Sequence, residues 1–304
     1  MLKYYVLIIG LLACSCQDKK SEEGLSICFT GDLLLDRGIR QEISRQKSVG
    51  HLFDDVRSLF QSSDAVVVNL ELPFTDTVSA INKKFIFRGE PKWLPELRFC
   101  GITHAVLANN HSIDQGRQGL VSTYRHLTEA GIIALGYGDH QQAACAPVFI
   151  RKGDIELALY SSVLLPLENW VYLEDTPGIC QCPVDRLCSS IRELKQAKPT
   201  CRVIVILHWG GEFQQTPTMI QRMEARQLID AGAEAIIGHH PHVIQKEEIY
   251  EGKPIFYSLG NFIFDQSKPF TDRGLIVNLT FTRDTLSFHK HYIKIKHGKP
   301  YLED

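Results

Sequence analysis

Short apolar runs, each followed by a polar residue, are the feature that most constrains how this chain can fold. The runs are rich in Val and Ile and are bounded by Gly, Asp or Asn, which is typical of buried strands in an α/β protein. They cover residues 25–30, 65–70, 105–108, 132–135, 155–160, 202–207 and 235–237. Amphipathic helical spacing separates some of the runs, at residues 118–130, 184–196 and 219–231. The pattern predicts alternating strands and helices.

Beyond residue 249 the pattern changes to closely spaced β-like segments, at residues 254–259, 275–281 and 285–295. These segments predict a second, more antiparallel sheet. A chain of 304 residues without a linker or an internal repeat can form one large two-sheet domain, which we place at residues 25–304. A hydrophobic content of 44% and a charged content of 22% are ordinary for a globular protein.

Residues of metal-ligand type recur at the ends of five of the predicted strands. They are Asp32, then Asn69 and Glu71, then Asn110 and His111, then His208 and Glu212, and finally His240 and His242. Because the carboxyl ends of strands in an open α/β sheet form one rim, residues placed there converge from distant parts of the sequence. One carboxylate after a strand means little, but five such placements predict a site.

The ligand types of this site predict a divalent transition metal. Asp and Glu oxygens, an Asn carbonyl and His nitrogens together suit Mn, Fe or Zn better than Ca or Mg, which prefer oxygen ligands alone. One or two such ions can activate a water and hold a phosphoryl group, so hydrolysis needs no Ser or Cys nucleophile. No Gly-x-Ser-x-Gly elbow, Walker loop or dinucleotide-binding glycine motif competes with this interpretation. The net charge of −2, with scattered Lys and Arg, argues against a nucleic-acid partner.

Each candidate ligand also has a purely structural interpretation. Asp32 can cap a turn, and Glu71 can be a solvated carboxylate. Asn110 and His111 can end a strand in a simple turn, and His208 can be a hydrogen-bonded core histidine. The convergence of all of them favours the functional interpretation.

The run of three histidines after residue 238 contains the best ligand pair. His240 and His242 flank Pro241, which favours an extended backbone and would direct both rings to one side. His239 is the weakest candidate of the three. Polar residues that can orient a ligand by hydrogen bonding are Asn69, Asp114, Glu212 and Asn261. Two arginines can hold an anionic substrate or be solvated surface charges: Arg37 and Arg88.

Six short segments carry a family resemblance. They are FTGD at residues 29–32, NLE at 69–71, ANNHSID at 108–114, HWGGE at 208–212, HHPHV at 239–243 and YSLGNF at 257–262. In this order they resemble the capsule-synthesis CapA/PgsA family, the poly-γ-glutamate biosynthesis proteins, which are related to calcineurin-like metallophosphoesterases. The similarity covers residues 26–278. It implies an α/β fold, a four-layer α/β/β/α sandwich of metallophosphoesterase type, with a metal site on its rim.

The resemblance also implies roles for individual residues. The residues that would hold metal are Asp32, Glu71, Asn110, His208, His240 and His242. His111 would be the general acid beside the leaving group. Calcineurin-like enzymes usually open with Asp-x-His, whereas Leu33 and Leu34 follow the aspartate here. One histidine ligand of that family is therefore absent, which bears directly on two-metal occupancy and on phosphatase activity.

Three functions follow from these observations. The leading one is capsule or exopolymer biosynthesis, with a phosphoesterase-like site that hydrolyses or binds a phosphorylated or polyanionic envelope substrate. The second is a non-catalytic scaffold subunit of a polyglutamate synthesis or export machine, beside other capsule-synthesis subunits. The third is a metal-dependent amide hydrolase that acts on a γ-glutamyl bond. The metal constellation favours the first and third, and the missing histidine favours the second.

The N-terminus resembles a bacterial lipoprotein signal peptide. Lys3 precedes the apolar run at residues 4–12, and LLAC at residues 11–14 has the form of a lipobox. The run is too short to span a bilayer as a helix. We therefore predict a signal peptide at residues 1–13, lipidation at Cys14 and a flexible tether at residues 14–24. This places the chain at the bacterial cell envelope, exported and anchored to a membrane. The alternatives are lipidation at Cys16 and a buried N-terminal strand or helix.

Nine cysteines in an exported chain raise the question of disulfides. Four lie in or beside apolar runs, where reduced and buried cysteine is common: Cys28, Cys100, Cys145 and Cys201. The other cluster lies in a polar stretch, does not match a structural zinc pattern, and can contain a disulfide: Cys180, Cys182 and Cys188.

Overall fold

The computed structural model describes residues 24–303. The predicted signal peptide, Cys14 and nearly all of the predicted tether lie outside the described residues. The strands are β1 (Leu25–Leu33), β2 (Ala65–Leu70), β3 (His104–Val106), β4 (Ile133–Leu135), β5 (Tyr137–Gly138), β6 (Val148–Lys152), β7 (Ile155–Val163), β8 (Gly178–Ile179), β9 (Arg202–His208), β10 (Ala235–His239), β11 (Glu248–Tyr250), β12 (Lys253–Phe256), β13 (Asn261–Ile263), β14 (Arg273–Phe281), β15 (Leu286–Lys296) and β16 (Lys299–Leu302).

Helices connect most of the parallel strands. They are α1 (Gly38–Gln46), α2 (Arg57–Gln61), α3 (Leu94–Phe99), α4 (Gly116–Glu129), α5 (Gln141–Ala144), α6 (Val184–Ala197) and α7 (Met219–Ala231). Short 3₁₀ turns cover Gly50–Phe53 and Pro91–Trp93. Helix α7 has both end signals in its sequence: Thr218 and Gln221 form a capping box at its start, and Gly232 ends it in the left-handed conformation.

Two large sheets form the centre of the molecule. The first has the order β16-β15-β14-β1-β2-β3-β4, with β13 also paired to the end of β1. Strands β1 to β4 are parallel, while β14 to β16 are antiparallel. The second sheet has the order β11-β12-β10-β9-β7-β6, and its four central strands are parallel. Strands β5 and β8 form a separate antiparallel pair.

Three apolar cores separate four layers. Alternate residues of β1 point to opposite faces, so Cys28 packs in a core with helices α1 to α4 while Phe29 packs between the two sheets. The third core joins the second sheet to α6 and α7, as the contacts of Val205 and Leu228 illustrate. The order is helices, sheet, sheet, helices, which confirms the predicted four-layer α/β/β/α sandwich.

The predicted elements match the structure except in the C-terminal third. All seven predicted buried strands form, and α7 has the predicted bounds, Met219–Ala231. The C-terminal segments do not build a second sheet of their own. Strands β14 to β16 extend the first sheet beside β1, while β12 joins the second sheet in parallel to β10. The sequence pattern gives strand type but not strand partner, because both sheets offer an open edge to an apolar segment.

The cysteines differ from the prediction at one position. Cys28, Cys100 and Cys201 are free and buried, as expected. Cys145 instead forms a disulfide with Cys180, with their Cα atoms 4.8 Å apart. The prediction of a reduced Cys145 is wrong because the end of α5 packs against β8, a contact between segments 35 residues apart that the local pattern does not reveal.

The remaining cysteines of the polar cluster are not paired with each other. Cys182 and Cys188 are free.

In the part of the chain from residue 24 to residue 303, no helix is long and apolar enough to span a membrane.

Candidate metal centre

The end of β1 brings Asp32 into the centre of the molecule. The first half of β1 pairs with β14, and its end shifts register to pair with β13, where Asp32 faces Asn261. A glycine is required just before the aspartate, since a Cβ on Gly31 would lie 2.2 Å from the carbonyl oxygen of Gly260. The backbone N–H of Asp32 donates to that same carbonyl at 2.9 Å. The close approach of the two strands therefore fixes the carboxylate.

Asp32 is fully buried and surrounded by nitrogen atoms. Asn69 Nδ2 donates to its Oδ1 at 2.8 Å. Nδ1 of His242 lies 3.1 Å from Oδ2, and Nδ1 of His239 lies 3.2 Å from Oδ1. Burial alone opposes ionisation, but the hydrogen bonds and charges of His239 and His242 hold the pKa of Asp32 well below its usual range. Asp32 is therefore an anion that faces imidazoles.

Glu71, which directly follows β2, is the unusual group of the site. It is fully buried, and neither carboxyl oxygen has a hydrogen-bond partner within the described residues. His208 Nε2 lies 3.5 Å from one oxygen and His242 Nδ1 lies 3.8 Å from the other. Burial, and then the charge of Asp32, raise the pKa of Glu71 well above its usual range. A buried carboxyl whose oxygens accept no hydrogen bond has capacity for a cation.

Two ligand groups meet at Glu71. In one group, ligand atoms of Asp32, Glu71 and His208 lie within 4.8 Å of one another, and in the other the same holds for Glu71, His240 and His242. All of these residues are buried. Because Glu71 belongs to both groups, one carboxylate lies between two places that can hold a metal ion.

Asn110 lies beside the first ligand group. Its Oδ1 is 2.9 Å from His208 Nε2, so the amide oxygen and the imidazole face the same point. The ring of His208 lies 4.9 Å from that of His240. The structure thus brings together all six residues that were predicted from the sequence as metal ligands.

The three histidines of these groups have different protonation states. Burial lowers the pKa of His240 to about 3 and that of His208 well below its usual value, so both are neutral imidazoles at neutral pH. Burial also opposes the charge of His242, but Glu71 and Asp32 outweigh it and raise its pKa to about 9. His242 is therefore a cation at neutral pH, and it supplies the positive charge beside the carboxyl groups of Asp32 and Glu71.

The backbone of the histidine pair is not extended, and that prediction is wrong. His240 has a φ of 96° and His242 a φ of 57°, although Pro241 follows the first. The turn directs the His240 N–H towards Asp32 Oδ2, 3.4 Å away, and lets the Pro241 carbonyl accept from Phe213 N at 2.8 Å. Non-glycine residues in this region are strained, and such strain concentrates at functional sites.

His111 forms a second cluster beside the ligands. Its Nδ1 donates to Asp114 Oδ2 at 2.8 Å, and its ring lies 4.4 Å from that of Phe87. Burial lowers the pKa of His111, although Asp114 partly opposes this. Lys83 Nζ donates to Asp114 Oδ1 at 2.9 Å and to the Asn110 carbonyl at 2.6 Å. Lys83 was not among the predicted site residues, because a Lys-Lys pair in a loop has no sequence pattern that distinguishes a buried lysine from a solvated one.

Other polar residues hold these groups in place. Asn69 joins Asp32 to His208, whose Nδ1 lies 3.3 Å from the amide nitrogen. Asn261 Oδ1 accepts from His242 Nδ1 at 3.0 Å. Asn109, which the sequence analysis did not select, accepts the backbone N–H of His111 at 3.0 Å and so shapes the turn that contains the cluster.

Of the remaining candidates, Glu212 and Arg37 lie around the site and Arg88 does not contact it. Glu212 is exposed, and its charge contributes to the raised pKa values of Glu71 and His242. Arg37 lies over the rings of two aromatic residues that also contact His111 and His242. Arg88 donates to the carbonyl of Thr75 at 3.2 Å, within its own loop.

The position of the missing Asp-x-His histidine is apolar. Leu34 is fully buried in the core beneath α1 to α4. His239, the weakest predicted ligand of the three histidines, is buried at the end of β10 beside Asp32. The structure therefore supplies an additional imidazole near Asp32 from the second sheet rather than from β1.

Comparison with solved structures agrees with the fold. The 5′-nucleotidase precursor from Thermus thermophilus matches with a TM-score of 0.51 at 13% identity, over 92% of this chain and 56% of the other. At this identity the match supports the fold alone. The predicted metallophosphoesterase-like sandwich is confirmed as a fold class.

Comparison by sequence shows the family. The PGA biosynthesis protein CapA of Bacillus subtilis is 32% identical over 249 residues, and the capsule biosynthesis protein CapA of Bacillus anthracis is 28% identical over 253 residues. Both alignments cover 81% of this chain, which spans only 65% and 61% of those relatives. The model of the bacterial capsule synthesis protein PGA_cap matches residues 26–266, and the chain belongs to this family.

Proposed function

We propose that this chain acts in capsule or exopolymer synthesis at the bacterial cell envelope, with a metal-dependent, phosphoesterase-like site that hydrolyses a phosphorylated or polyanionic substrate. The family supports the process, and the fold supports the reaction class. Function on a common fold depends on the site, so the proposal depends on the residues around Glu71.

The observation that carries the proposal is the buried Glu71 carboxyl, which makes no hydrogen bond within the described residues. A buried carboxylate without hydrogen bonds is destabilising, and burial and the charge of Asp32 raise the pKa of this one well above its usual range. The neutral imidazoles of His208 and His240 belong to the ligand groups that include it. A divalent cation would satisfy all of these atoms at once, and the mixture of oxygen and nitrogen ligands suits Mn, Fe or Zn.

The proposed ligands are the two groups that share Glu71, together with Asn110: Asp32, Glu71, Asn110, His208, His240 and His242. Bound metal at such a site activates water and neutralises charge on a phosphoryl group. Asn69 and Asn261 would fix the orientations of Asp32 and His242 through their hydrogen bonds. The shared carboxylate supports two ions rather than one.

We assign proton donation to His111. Its Nδ1–H is engaged by Asp114, so the imidazolium form would give its Nε2 proton to the leaving group and be left as the neutral Nδ1–H tautomer. Arg37 is the proposed contact for a second anionic group of the substrate, because it lies between Phe87 and Phe264 with its side chain 35% exposed. Its ion pair with Asp265 would exchange for the substrate.

A scaffold role is the second candidate, and the buried Leu34 is the observation in its favour. Without the histidine of Asp-x-His, an ion held by Asp32 would have one ligand fewer. In that case the chain would serve other subunits of a capsule-synthesis machine through its inherited fold. A lipid anchor at Cys14 is compatible with either role.

Metal content and turnover separate the two candidates. The purified chain should contain up to two transition-metal ions and should cleave bis(4-nitrophenyl) phosphate with added Mn²⁺. The double variant Asp32→Asn, His240→Ala should lose both properties, whereas His289→Ala, which changes an exposed histidine of β15, should lose neither. Metal binding without turnover of any phosphoester would favour the scaffold, and unchanged stoichiometry in the double variant would reject the site.

A further inference from the structure

Lys83 has a buried side chain although the residues that follow it directly are exposed. The loop runs from the end of β2 to the 3₁₀ turn at Pro91–Trp93, and the neighbouring residues Lys84, Phe85 and Ile86 are exposed to solvent. The side chain of Lys83 is only 3% exposed. Lysine is almost never buried to this extent unless its ammonium is paired. The reason for its burial must therefore lie in its contacts.

All of these contacts are to the cluster around His111. The ammonium donates to Asp114 Oδ1 at 2.9 Å and to the Asn110 carbonyl at 2.6 Å, and it lies 3.4 Å from His111 Nδ1. An ammonium has only donors, so it cannot accept a hydrogen bond from the imidazole. The two carboxylate oxygens of Asp114 are thereby divided: Oδ1 accepts from Lys83, and Oδ2 accepts from His111 and from the backbone N–H of Phe87.

We propose that Lys83 is a positioning residue of the site, whose ammonium orients the Asp114 carboxylate and thereby holds His111 as the Nδ1–H tautomer with Nε2 facing the crevice. Only the expected kinetic effect depends on the proposed function. The Nδ1–H tautomer follows from the contacts of Asp114 with Lys83 and His111. Lys83 also links the Asn110 backbone to Asp114, so one charge fixes the turn from Asn110 to Asp114, which contains the proposed acid His111.

Anchoring of the loop is the alternative role, and the structure provides a matched comparison for it. Gln115 holds the same loop by accepting from Ser79 N at 3.0 Å and donating to the Phe87 carbonyl at 3.3 Å. Gln115 makes no hydrogen bond to His111 or to the Asp114 side chain among the described contacts. Gln115→Met therefore loosens the loop without removing the ammonium.

The test compares four variants of the full chain: Lys83→Met, Lys83→Arg, Lys84→Met and Gln115→Met. The first measurement is the tautomer of His111 from ¹⁵N-histidine spectra of the zinc-loaded protein, assigned with His111→Gln. The wild type, Lys84→Met and Gln115→Met should give the Nδ1–H pattern. Lys83→Met should lose it, and Lys83→Arg, which keeps a charged donor, should retain most of it. If Lys83→Met does not fold, Lys83→Gln replaces it.

The second measurement is turnover of an aryl and an alkyl phosphodiester with Mn²⁺. Lys83→Met should lower kcat for the alkyl ester by about 10- to 100-fold, the usual effect of losing a hydrogen bond that orients a site residue, with little change in KM or metal content. An intact His111 tautomer in Lys83→Met, equal losses in Gln115→Met, or loss of metal would overturn the proposal. Absence of turnover in the wild type would reject the proposed function but not the role of Lys83, which the tautomer decides independently.

Discussion

At the scale of single residues, the shared Glu71 carboxyl determines how the site should respond to metal. Its raised pKa makes it easier to protonate than an ordinary carboxyl, so protons and a cation compete for its oxygens. His242, with a pKa raised to about 9, must also lose a proton if it binds metal. Both groups compete with metal when protonated, so metal affinity should rise as pH increases towards about 9.

Glu71→Gln tests this coupling directly. The amide cannot ionise, so the variant should bind both ions on the order of tenfold or more weakly and should release fewer protons on binding. Titration calorimetry in buffers of different ionisation enthalpy measures both quantities. Glu212→Gln is the matched control, because this carboxylate is exposed on the same rim and belongs to neither ligand group. Equal effects of the two variants would remove Glu71 from the metal site.

The role of His111 gives a second prediction at this scale. A general acid typically increases the rate by about 10²- to 10⁴-fold. His111→Ala should therefore lower the turnover of an alkyl phosphate ester by a similar factor, which corresponds to a loss of about 3 to 5 kcal/mol of transition-state stabilisation. An aryl ester, whose leaving group needs no proton, should be affected much less. Burial lowers the pKa of His111, so the protonated form and the alkyl-ester activity should decline as pH rises through a value below 6.5. Equal losses on both esters, or lost metal, would contradict the assignment.

The positions of the six proposed ligands could be predicted from the sequence, but their surroundings could not. The end of each strand is visible in the local sequence, and the carboxyl ends of strands in an α/β sheet lie along one edge, so residues placed there are expected to be close together. Lys83 could not be predicted, because its burial depends on contacts 27 to 31 residues away. The left-handed backbone of His240 was also unpredictable, since the local preference before proline is extended and the tertiary contact with Asp32 overrides it.

At the scale of elements, the parallel strands carry the strongest sequence signal. Buried on both faces, they form continuous apolar runs, so β1, β2, β9 and β10 were all placed correctly. Shorter elements such as β5, β8 and β13 have two or three residues and give no periodicity. The divided pairing of β1, with β14 at its start and β13 at its end, is a tertiary property that no local pattern contains.

One of these buried strands carries a titratable group, and this gives a prediction for stability. His104 lies at the start of β3, where burial lowers its pKa to about 4 and its Nε2 has no partner within the described residues. The unfolded chain binds this proton near pH 6.5 and the folded chain only near pH 4. Stability is therefore lost as pH falls from about 6.5 to about 4, by up to about 3 kcal/mol.

His104→Gln removes this titration. Its free energy of unfolding should decrease less than that of the wild type over the same pH window, even if the variant is less stable near neutral pH. Urea unfolding at several pH values measures the difference. His289→Gln, at an exposed position in β15, should keep the wild-type slope. A His104→Gln slope identical to that of the wild type would show that this histidine is not the origin of the acid sensitivity.

At the scale of the whole molecule, the site and the start of the domain lie at opposite ends of one strand. β1 begins at Leu25 and reaches Asp32 within its nine residues, a distance of about 23 Å at the rise of a strand. A chain anchored through residues before Leu25 would therefore hold the metal centre at the far end of the first sheet. Anchoring and chemistry would involve separate parts of the protein.

Membrane attachment should accordingly be separable from the metal site. If Cys14 is lipidated, as the LLAC motif at residues 11–14 predicts, Cys14→Ser should move the protein from the membrane fraction to the soluble fraction of exported protein. Cys16→Ser, two residues further on, should stay in the membrane. Metal content and phosphodiester turnover of purified Cys14→Ser should match the wild type, because no group of the site lies near the start of β1. Membrane recovery of Cys14→Ser with an intact lipid mass would assign the anchor to another residue.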